Sequence, residues 1–271
     1  MVVLIVLAII TIIVLLYTLS TICRTGHPEL KKLQGWHYAH RGLHGPGAPE
    51  NSMEAFLRAK DAGYGVELDI HLLKDGNLGV MHDSLLKRTT GASGRIEDLT
   101  TDQLKDYYLE GTDQTIPQFQ QVLDLFSGKA PLIVELKCVD NNYAKLCETA
   151  CKMLDAYDGL YCMESFDPRC IYWLRKHRPD IIRGQLTENY FAAKNSKLPW
   201  YLKFVLRHQM LNFLVRPDFV AYKFRDRKTV SNFLCRKLWR VQGVTWTLKN
   251  QQDLNRAVSE GWIPIFEGFE P

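Results

Sequence analysis

Short apolar runs alternate with amphipathic stretches along most of the chain, and this alternation restricts the fold more than any other feature. Strands that alternate with helices form a parallel sheet, and eight such strands are what a TIM (β/α)8 barrel needs. The 271 residues suffice for one such domain, predicted over 37–271. The predicted strands are 36–40, 66–70, 132–136, 160–163, 181–185, 219–222, 243–246 and 263–267.

Helix signals lie between these strands. Asn51 is predicted as the N-cap of the first helix, with Glu54 at the capping-box position and Gly63 as the stop. Further helices are predicted over 143–157, 169–177 and 251–260. The chain leaves no room for a helix after the last strand, so another segment is expected to cover that strand.

The amino-terminal segment 1–22 is almost unbroken Val, Leu and Ile, long enough to cross a bilayer as a helix. A cleaved signal peptide is the alternative, but basic residues before the apolar run and a small-residue cleavage site are both missing. We therefore expect an uncleaved single-pass anchor in the cell membrane, followed by a juxtamembrane linker over 23–36. Arg24, Lys31 and Lys32 follow the span, which predicts a cytoplasmic catalytic domain.

Charge and cysteine content narrow the partners and the compartment. The 34 Lys and Arg against 30 Asp and Glu give a net charge of +4 without a basic block, which argues against nucleic acid as a partner. The seven cysteines lack CxxC spacing and fall mostly in predicted helices and strands. They are therefore expected to be reduced, buried thiols.

An insertion over 195–217 departs from a simple barrel. It combines aromatic and aliphatic side chains with interspersed basic ones, namely Trp200, Tyr201, Phe204, Leu206, Met210, Phe213 and Leu214 with Lys197, Lys203, Arg207 and Arg216. Such an amphipathic stretch suits a bilayer interface. A helix packed on the barrel is the other interpretation.

Charged residues recur at the predicted strand ends. His40 and Arg41 end the first strand, and the spacing of Glu67 and Asp69 puts both carboxylates on one face of the second. Facing inward, such a pair needs a cation and suits Ca²⁺ or Mg²⁺; alone, it fits an outward-facing pair equally well. Glu135 lies in an apolar run and requires a partner, either a shared metal ion or a salt bridge with an arginine.

The coincidence of these groups on one rim of a barrel indicates phosphodiester cleavage. His40 and His82 suit the deprotonation of a nucleophile and the protonation of a leaving alkoxide. A divalent cation, with Arg41 and Lys137, would neutralise the charge that builds on the phosphate oxygens.

Six motifs in order resemble the glycerophosphodiester phosphodiesterase family over roughly 37–266. They are His40-Arg41-Gly42, Pro49-Glu50-Asn51-Ser52, Glu67-Leu68-Asp69, His82-Asp83, Glu135-Leu136-Lys137 and Thr245-Trp246-Thr247. The resemblance implies a TIM barrel in which His40 and His82 form the acid/base pair and Glu67, Asp69 and Glu135 bind Ca²⁺ or Mg²⁺. It also implies phosphate contacts from Arg41 and Lys137 and an apolar wall from Trp246, with Glu50 supporting the site from behind.

The chain departs from the family pattern at Glu267, where members commonly carry an Asp followed by a helix. This departure is expected to leave the catalytic residues untouched and to alter the headgroup pocket. The implied substrate is a glycerophosphodiester, or a lyso-phospholipid cleaved by a lysophospholipase D reaction. A barrel that binds lipid headgroups without catalysis, and a phosphoinositide- or sphingolipid-cleaving barrel, are the other hypotheses.

Overall fold

Eight parallel strands close into a barrel in the computed structural model, which describes residues 1–193 and 198–271. The barrel closes because β1 pairs with both β2 and β9. Each predicted strand coincides with an observed one, so the TIM-barrel prediction is confirmed. The barrel strands are β1 (Tyr38–His40), β2 (Gly65–Leu72), β4 (Leu132–Leu136), β5 (Tyr161–Ser165), β6 (Arg183–Thr187), β7 (Phe219–Lys223), β8 (Gln242–Leu248) and β9 (Trp262–Phe266). A short strand, β3 (Leu78–Val80), runs antiparallel to β2 at its carboxyl end.

Helices cover the outside of the barrel. The described helices are α1 (Val2–Ser20), α2 (Met53–Asp61), α3 (Lys87–Thr90), α4 (Phe119–Phe126), α5 (Tyr143–Leu154), α6 (Pro168–His177), α7 (Trp200–Arg207), α8 (Asn212–Val215), α9 (Val230–Phe233) and α10 (Gln251–Ser259). The predicted helices over 143–157, 169–177 and 251–260 are confirmed as α5, α6 and α10, with ends that differ by a few residues.

The predicted cap of α2 is wrong. Ser52 is the N-cap, because its hydroxyl accepts a hydrogen bond from the backbone N–H of Ala55. Asn51 instead has a φ of 57° and turns its side chain into the barrel. A serine in the next position competes equally well for the cap, so the sequence could not separate the two residues.

The barrel interior is divided into an apolar lower layer and a charged upper layer. Ile133, Cys162, Phe219, Val244 and Ile263 pack together towards the amino ends of the strands. Leu33, in a 3₁₀ helix over Pro28–Leu33, joins this layer. The carboxyl ends of the same strands carry the charged side chains, so the apolar layer holds them at one mouth.

The amino-terminal helix α1 stands out from the barrel. Every residue from Met1 to Leu16 is exposed, whereas Thr21 and Cys23, just after the helix, are buried. Arg24 pairs with Asp218. Residues 23–36, expected to be a linker, therefore pack on the barrel. All seven cysteines lie in the described part of the chain as free thiols, and six of them are buried.

The expected insertion over 195–217 forms α7 and α8, except that 195–197, including Lys197, lie outside the described residues. Asn212 and Val215 are buried, while several aromatic side chains of α7 are exposed. At the end of the chain, the outer face of β9 is covered by aromatic packing. Phe266 contacts Tyr64 and Phe269 in edge-on arrangements.

Candidate active site

Three buried carboxylates lie together at the carboxyl ends of β2 and β4. Asp69 and Glu135 are paired in the strand register, and Glu67 lies two residues before Asp69 on the same face. Oxygen atoms of the three groups lie within 4.8 Å of one another. The outward-facing alternative for Glu67 and Asp69 is thus wrong, as is the arginine partner for Glu135: Lys137 Nζ lies 2.7 Å from Glu135 Oε1 and 2.9 Å from Asp69 Oδ1.

Burial and neighbouring charges shift the pKa values of these three carboxyl groups. Burial raises the pKa of Glu67 well above its usual value, and the charges of Asp69 and Glu135 raise it further. Burial also raises the pKa of Glu135. Burial alone would raise the pKa of Asp69, but the charges of Lys137, His82 and Arg41 together hold that pKa well below its usual value. Glu67 and Glu135 therefore bind protons more readily than free carboxyl groups, and a further positive charge at the cluster would favour their ionised forms.

His40 is held by a carboxylate that the sequence analysis placed outside the catalytic machinery. Its Nδ1 lies 2.7 Å from Glu267 Oε2, and its Nε2 lies 3.8 Å from Glu67 Oε2. The hydrogen bond from His40 lowers the pKa of Glu267 well below its usual value, so Glu267 is ionised and Nδ1 carries the proton. The Glu267 departure from the family pattern therefore contacts a predicted acid/base residue, in addition to its predicted effect on the headgroup pocket.

Replacing Glu267 with glutamine is expected to lower kcat/KM for phosphodiester cleavage about tenfold. It is also expected to move the acidic limb of the pH profile of kcat/KM to lower pH. Burial lowers the pKa of His40, while the Glu267 carboxylate opposes that shift. With the carboxylate gone, the pKa falls further and His40 loses its proton at lower pH. The measurement is a pH profile beside Glu270→Gln, an exposed change of the same charge. An unshifted acidic limb would show that Glu267 only supports the loop.

His82, in the loop after β3, is oriented by a chain of charged groups. Its Nδ1 lies 2.6 Å from Asp83 Oδ1, and the pKa of Asp83 is lowered, chiefly by that hydrogen bond. Arg88 pairs with Asp83 and also donates to Glu50 Oε2 at 2.9 Å. Glu50 in turn accepts a bond from Arg41 Nη1 at 2.9 Å. Glu50 thus links Arg41, after β1, to the Arg88–Asp83 pair beside His82.

The turn after β1 explains the spacing of the first motif. Arg41 adopts a φ of 55°, and its backbone oxygen accepts a hydrogen bond from Asn51 N at 2.9 Å. Gly42 also has a positive φ, and a Cβ there would lie 2.8 Å from the backbone carbon of Ala55. The Asn51 amide then donates to Asp69 Oδ2 at 2.9 Å. The first turn therefore orients one carboxylate of the cluster.

A cavity of about 730 Å³ opens above the carboxylates. Of the eight predicted site residues, His40, Arg41, Glu67, His82, Glu135, Lys137 and Trp246 line it, while Asp69 is buried against Lys137. One wall is apolar: Trp246 packs edge-on against Phe166 at 5.7 Å between ring centroids, as its predicted position on an apolar wall requires. The wall continues through Leu186, Tyr190, Leu198 and Pro199.

Three further charged residues line the cavity, and the sequence did not identify them as site residues: Glu164, Glu188 and Lys223. Glu164 is buried beside Glu135, and its Oε2 lacks a hydrogen-bond partner among the described residues. Lys223 Nζ lies 3.0 Å from Glu188 Oε2 and 5.4 Å from the centre of the Trp246 ring. Each of the three lies at or just after the carboxyl end of a strand, the same signal that identified Glu135.

The carboxylate cluster fits a hard divalent cation. Glu67, Asp69 and Glu135 offer oxygen atoms within ligand distance of one ion, which is the donor type that Ca²⁺ and Mg²⁺ prefer. A divalent charge would also relieve the repulsion that raises the pKa of Glu67. The residues present are therefore consistent with a metal site.

Comparisons with known proteins agree with this arrangement. Residues 40–266 match the model of the glycerophosphoryl diester phosphodiesterase family. A glycerophosphodiester phosphodiesterase of Caldanaerobacter subterraneus is 27% identical over 82% of this chain and 89% of its own length. The rat protein named lysophospholipase D GDPD1 is 36% identical over 39% of this chain, which spans 37% of that relative. A solved phosphodiesterase structure from Oleispira antarctica, with the product sn-glycerol-3-phosphate, has a TM-score of 0.70 at 21% identity and covers 86% of this chain and 92% of its own.

Proposed function

This chain belongs to the glycerophosphoryl diester phosphodiesterase family, a family of phosphoric diester hydrolases, and from that premise we propose that it hydrolyses glycerophosphodiesters to glycerol 3-phosphate and an alcohol. One observation carries the proposal: two histidines, each oriented by a carboxylate, line the same cavity as a cluster of buried carboxylates. Phosphodiester cleavage requires both a base and an acid, and this cavity offers two candidates for those roles.

The carboxylates are proposed to bind one divalent cation, Ca²⁺ or Mg²⁺, through Glu67, Asp69 and Glu135. Their burial and mutual proximity support this assignment. When bound, such an ion supplies positive charge that stabilises the phosphate oxygens as negative charge builds on them. Arg41 and Lys137 lie at the same end of the cavity and are proposed to contact the same phosphate.

The two histidines are proposed to divide the proton transfers. His40 is the base, because burial lowers its pKa and Glu267 fixes the proton on Nδ1, which leaves Nε2 free to accept a proton. His82 then protonates the leaving alkoxide from Nε2, since Asp83 holds its Nδ1. Two oriented imidazoles thus supply both transfers near neutral pH.

The chain is proposed to be anchored in the cell membrane by α1, with the barrel in the cytoplasm. The helix has a mean hydropathy of 3.2, and none of its residues is buried. Against removal as a signal peptide, Thr21 accepts a hydrogen bond from Trp239 Nε1 at 3.0 Å and is buried in the barrel surface. The basic residues Arg24, Lys31 and Lys32 after the span favour the cytoplasmic orientation.

A second candidate activity is the cleavage of lyso-phospholipids by a lysophospholipase D reaction. The apolar wall favours it, because Phe166, Tyr190, Leu198 and Trp246 line the same cavity as the carboxylates. A single acyl chain bonded to glycerol would lie along such a wall, whereas a deacylated substrate has no apolar group to place there.

A substrate panel tests the class and separates the two candidates. Full-length protein is assayed with Ca²⁺ or Mg²⁺ on glycerophosphocholine, glycerophosphoethanolamine and lysophosphatidylcholine. Glycerol 3-phosphate release is expected from the first two. Release of lysophosphatidate and choline from the third would establish the second candidate as well. Metal-replete protein that is inactive on all three would instead favour a barrel that binds headgroups without catalysis.

A further inference from the structure

The last turn of α1 docks on the barrel at the level of its mouth. Tyr17 Oη lies 3.4 Å from His208 Nδ1. Two residues before His208, the backbone oxygen of Leu206 accepts a hydrogen bond from Thr187 Oγ1 at 2.9 Å. Thr187 is the last residue of β6, and the carboxyl ends of the strands surround the cavity. Tyr17 therefore lies near the same end of the barrel as the cavity.

After α1 the chain runs towards the opposite end of the barrel. The backbone N–H of Arg24 donates to Pro217 O at 3.0 Å, and its guanidinium pairs with Asp218, immediately before β7. The chain thus passes from the carboxyl ends at Tyr17 to the amino ends at Arg24. Because α1 is one continuous helix, Met1–Leu16 extend in the reverse direction, past the mouth.

Helix α7 lies beside the same mouth and presents aromatic side chains to solvent. Leu198 and Pro199, just before the helix, line the cavity. Trp200, Tyr201 and Phe204 follow and are 73%, 53% and 45% exposed. Their spacing puts all three on one side of the helix. Aromatic side chains of this kind are enriched where a protein meets the headgroup region of a bilayer.

We propose that the mouth of the barrel faces the bilayer that α1 spans, with α7 lying in the headgroup region as the entry edge of the cavity. This inference rests on the proposed phosphodiesterase activity and gives its substrate class, an amphiphile with one acyl chain taken directly from the adjoining leaflet. The phosphate reaches the carboxylate end, and the chain leaves along Phe166, Tyr190 and Leu198 towards α7.

No flexible linker separates α1 from the barrel, and this short connection favours the bilayer as the partner of the exposed aromatic face of α7. Thr21 is buried one residue after α1 ends, so the barrel lies directly against the membrane surface. The exposed residues Met1–Leu16 reach roughly 24 Å as a helix, most of the roughly 30 Å thickness of a hydrocarbon core. Lys203 and Arg207 on α7 add positive charge suited to headgroup phosphates.

The test compares two substrates on one preparation. Full-length protein is reconstituted in phosphatidylcholine vesicles that contain lysophosphatidylcholine, and glycerophosphocholine is supplied in solution. The triple variant Trp200→Ser/Tyr201→Ser/Phe204→Ser is expected to lose about tenfold in lyso-lipid hydrolysis and to stay within about twofold on the soluble diester. None of the three side chains lines the cavity.

The matched control is Phe213→Ser/Leu214→Ser. These residues of α8 are 44% and 42% exposed, so the change also removes exposed apolar surface, although less than the triple variant removes. Their backbone oxygens accept hydrogen bonds from Arg175 in the last turn of α6, on the side of the barrel away from the mouth. The control is expected to leave both rates within about twofold, because this surface does not meet lipid.

Quenching of the Trp200 fluorescence tests the membrane contact of α7 without relying on enzyme activity. Phospholipids brominated on the acyl chain are expected to quench wild type more than Trp200→Phe. If wild type is inactive on both substrates but Trp200 is quenched, the proposed function fails while the membrane contact stands. Absent quenching, equal losses on both substrates, an unchanged lyso-lipid rate, or self-association that the triple variant abolishes would overturn the inference.

Discussion

Replacement of His82 with alanine is expected to lower kcat on a glycerophosphodiester by about 10³-fold with little change in KM. His82 lines the cavity and is held through Nδ1 by Asp83, so alanine removes the proposed proton donor without emptying the phosphate pocket. His40→Ala is expected to have a loss of similar size. Because the two groups act in one proton-transfer sequence, the double variant is expected to lose far less than the product of the single losses.

The control for this series is His177→Ala. His177 lies at the end of α6, on the outside of the barrel, where it stacks on Trp173. The substitution His177→Ala removes an imidazole outside the cavity, so kcat is expected to stay within about twofold of the wild-type value. Initial rates at saturating substrate and metal measure the whole series. A His82→Ala enzyme with wild-type kcat would eliminate the two-histidine mechanism.

Removal of divalent cations is expected to lower activity about 10³-fold, with recovery on titration of Ca²⁺ or Mg²⁺. Glu67, Asp69 and Glu135 then repel one another in a buried site with only partial neutralisation by Lys137. The metal is therefore also expected to raise Tm, because it binds the folded state alone. Chelation, followed by rate and thermal-unfolding measurements at increasing metal concentration, gives both quantities.

Glu135→Gln separates the loss of a metal ligand from a general loss of stability, because the two predict opposite changes in the Tm of the metal-free protein. Burial raises the pKa of Glu135 despite its contact with Lys137, so a neutral amide at that position removes the cost of a buried charge and is expected to raise the Tm of the metal-free protein. The same change removes a ligand and is expected to abolish most of the metal-dependent increase in Tm. Glu54→Gln, outside the cavity, is the matched control. A metal-dependent increase of wild-type size in Glu135→Gln would exclude this carboxylate as a ligand.

The barrel was predictable because its cause is local. Strand-length apolar runs separated by amphipathic segments allow few other ways to bury both faces of a sheet. The carboxyl end of each strand then faces one mouth, so the sequence alone predicts that Glu67, Asp69, Glu135 and Lys137 lie on one rim. The cap of α2 was not predictable, since Asn51 and Ser52 are adjacent residues with equal capping ability.

Contacts between distant segments depended on tertiary structure alone. Glu267 reaches His40 across 227 positions, and only closure of β9 onto β1 brings the two together. The side on which α1 leaves the barrel depends similarly on the contacts of Tyr17 and Arg24 with a region some 190 residues later. The sequence by itself determined the barrel, the acidic rim and the apolar helix, because periodicity and strand ends are local properties. The structure decided which carboxylate contacts His40 and on which side of the barrel α1 leaves, because pairings across a closed barrel have no local signature.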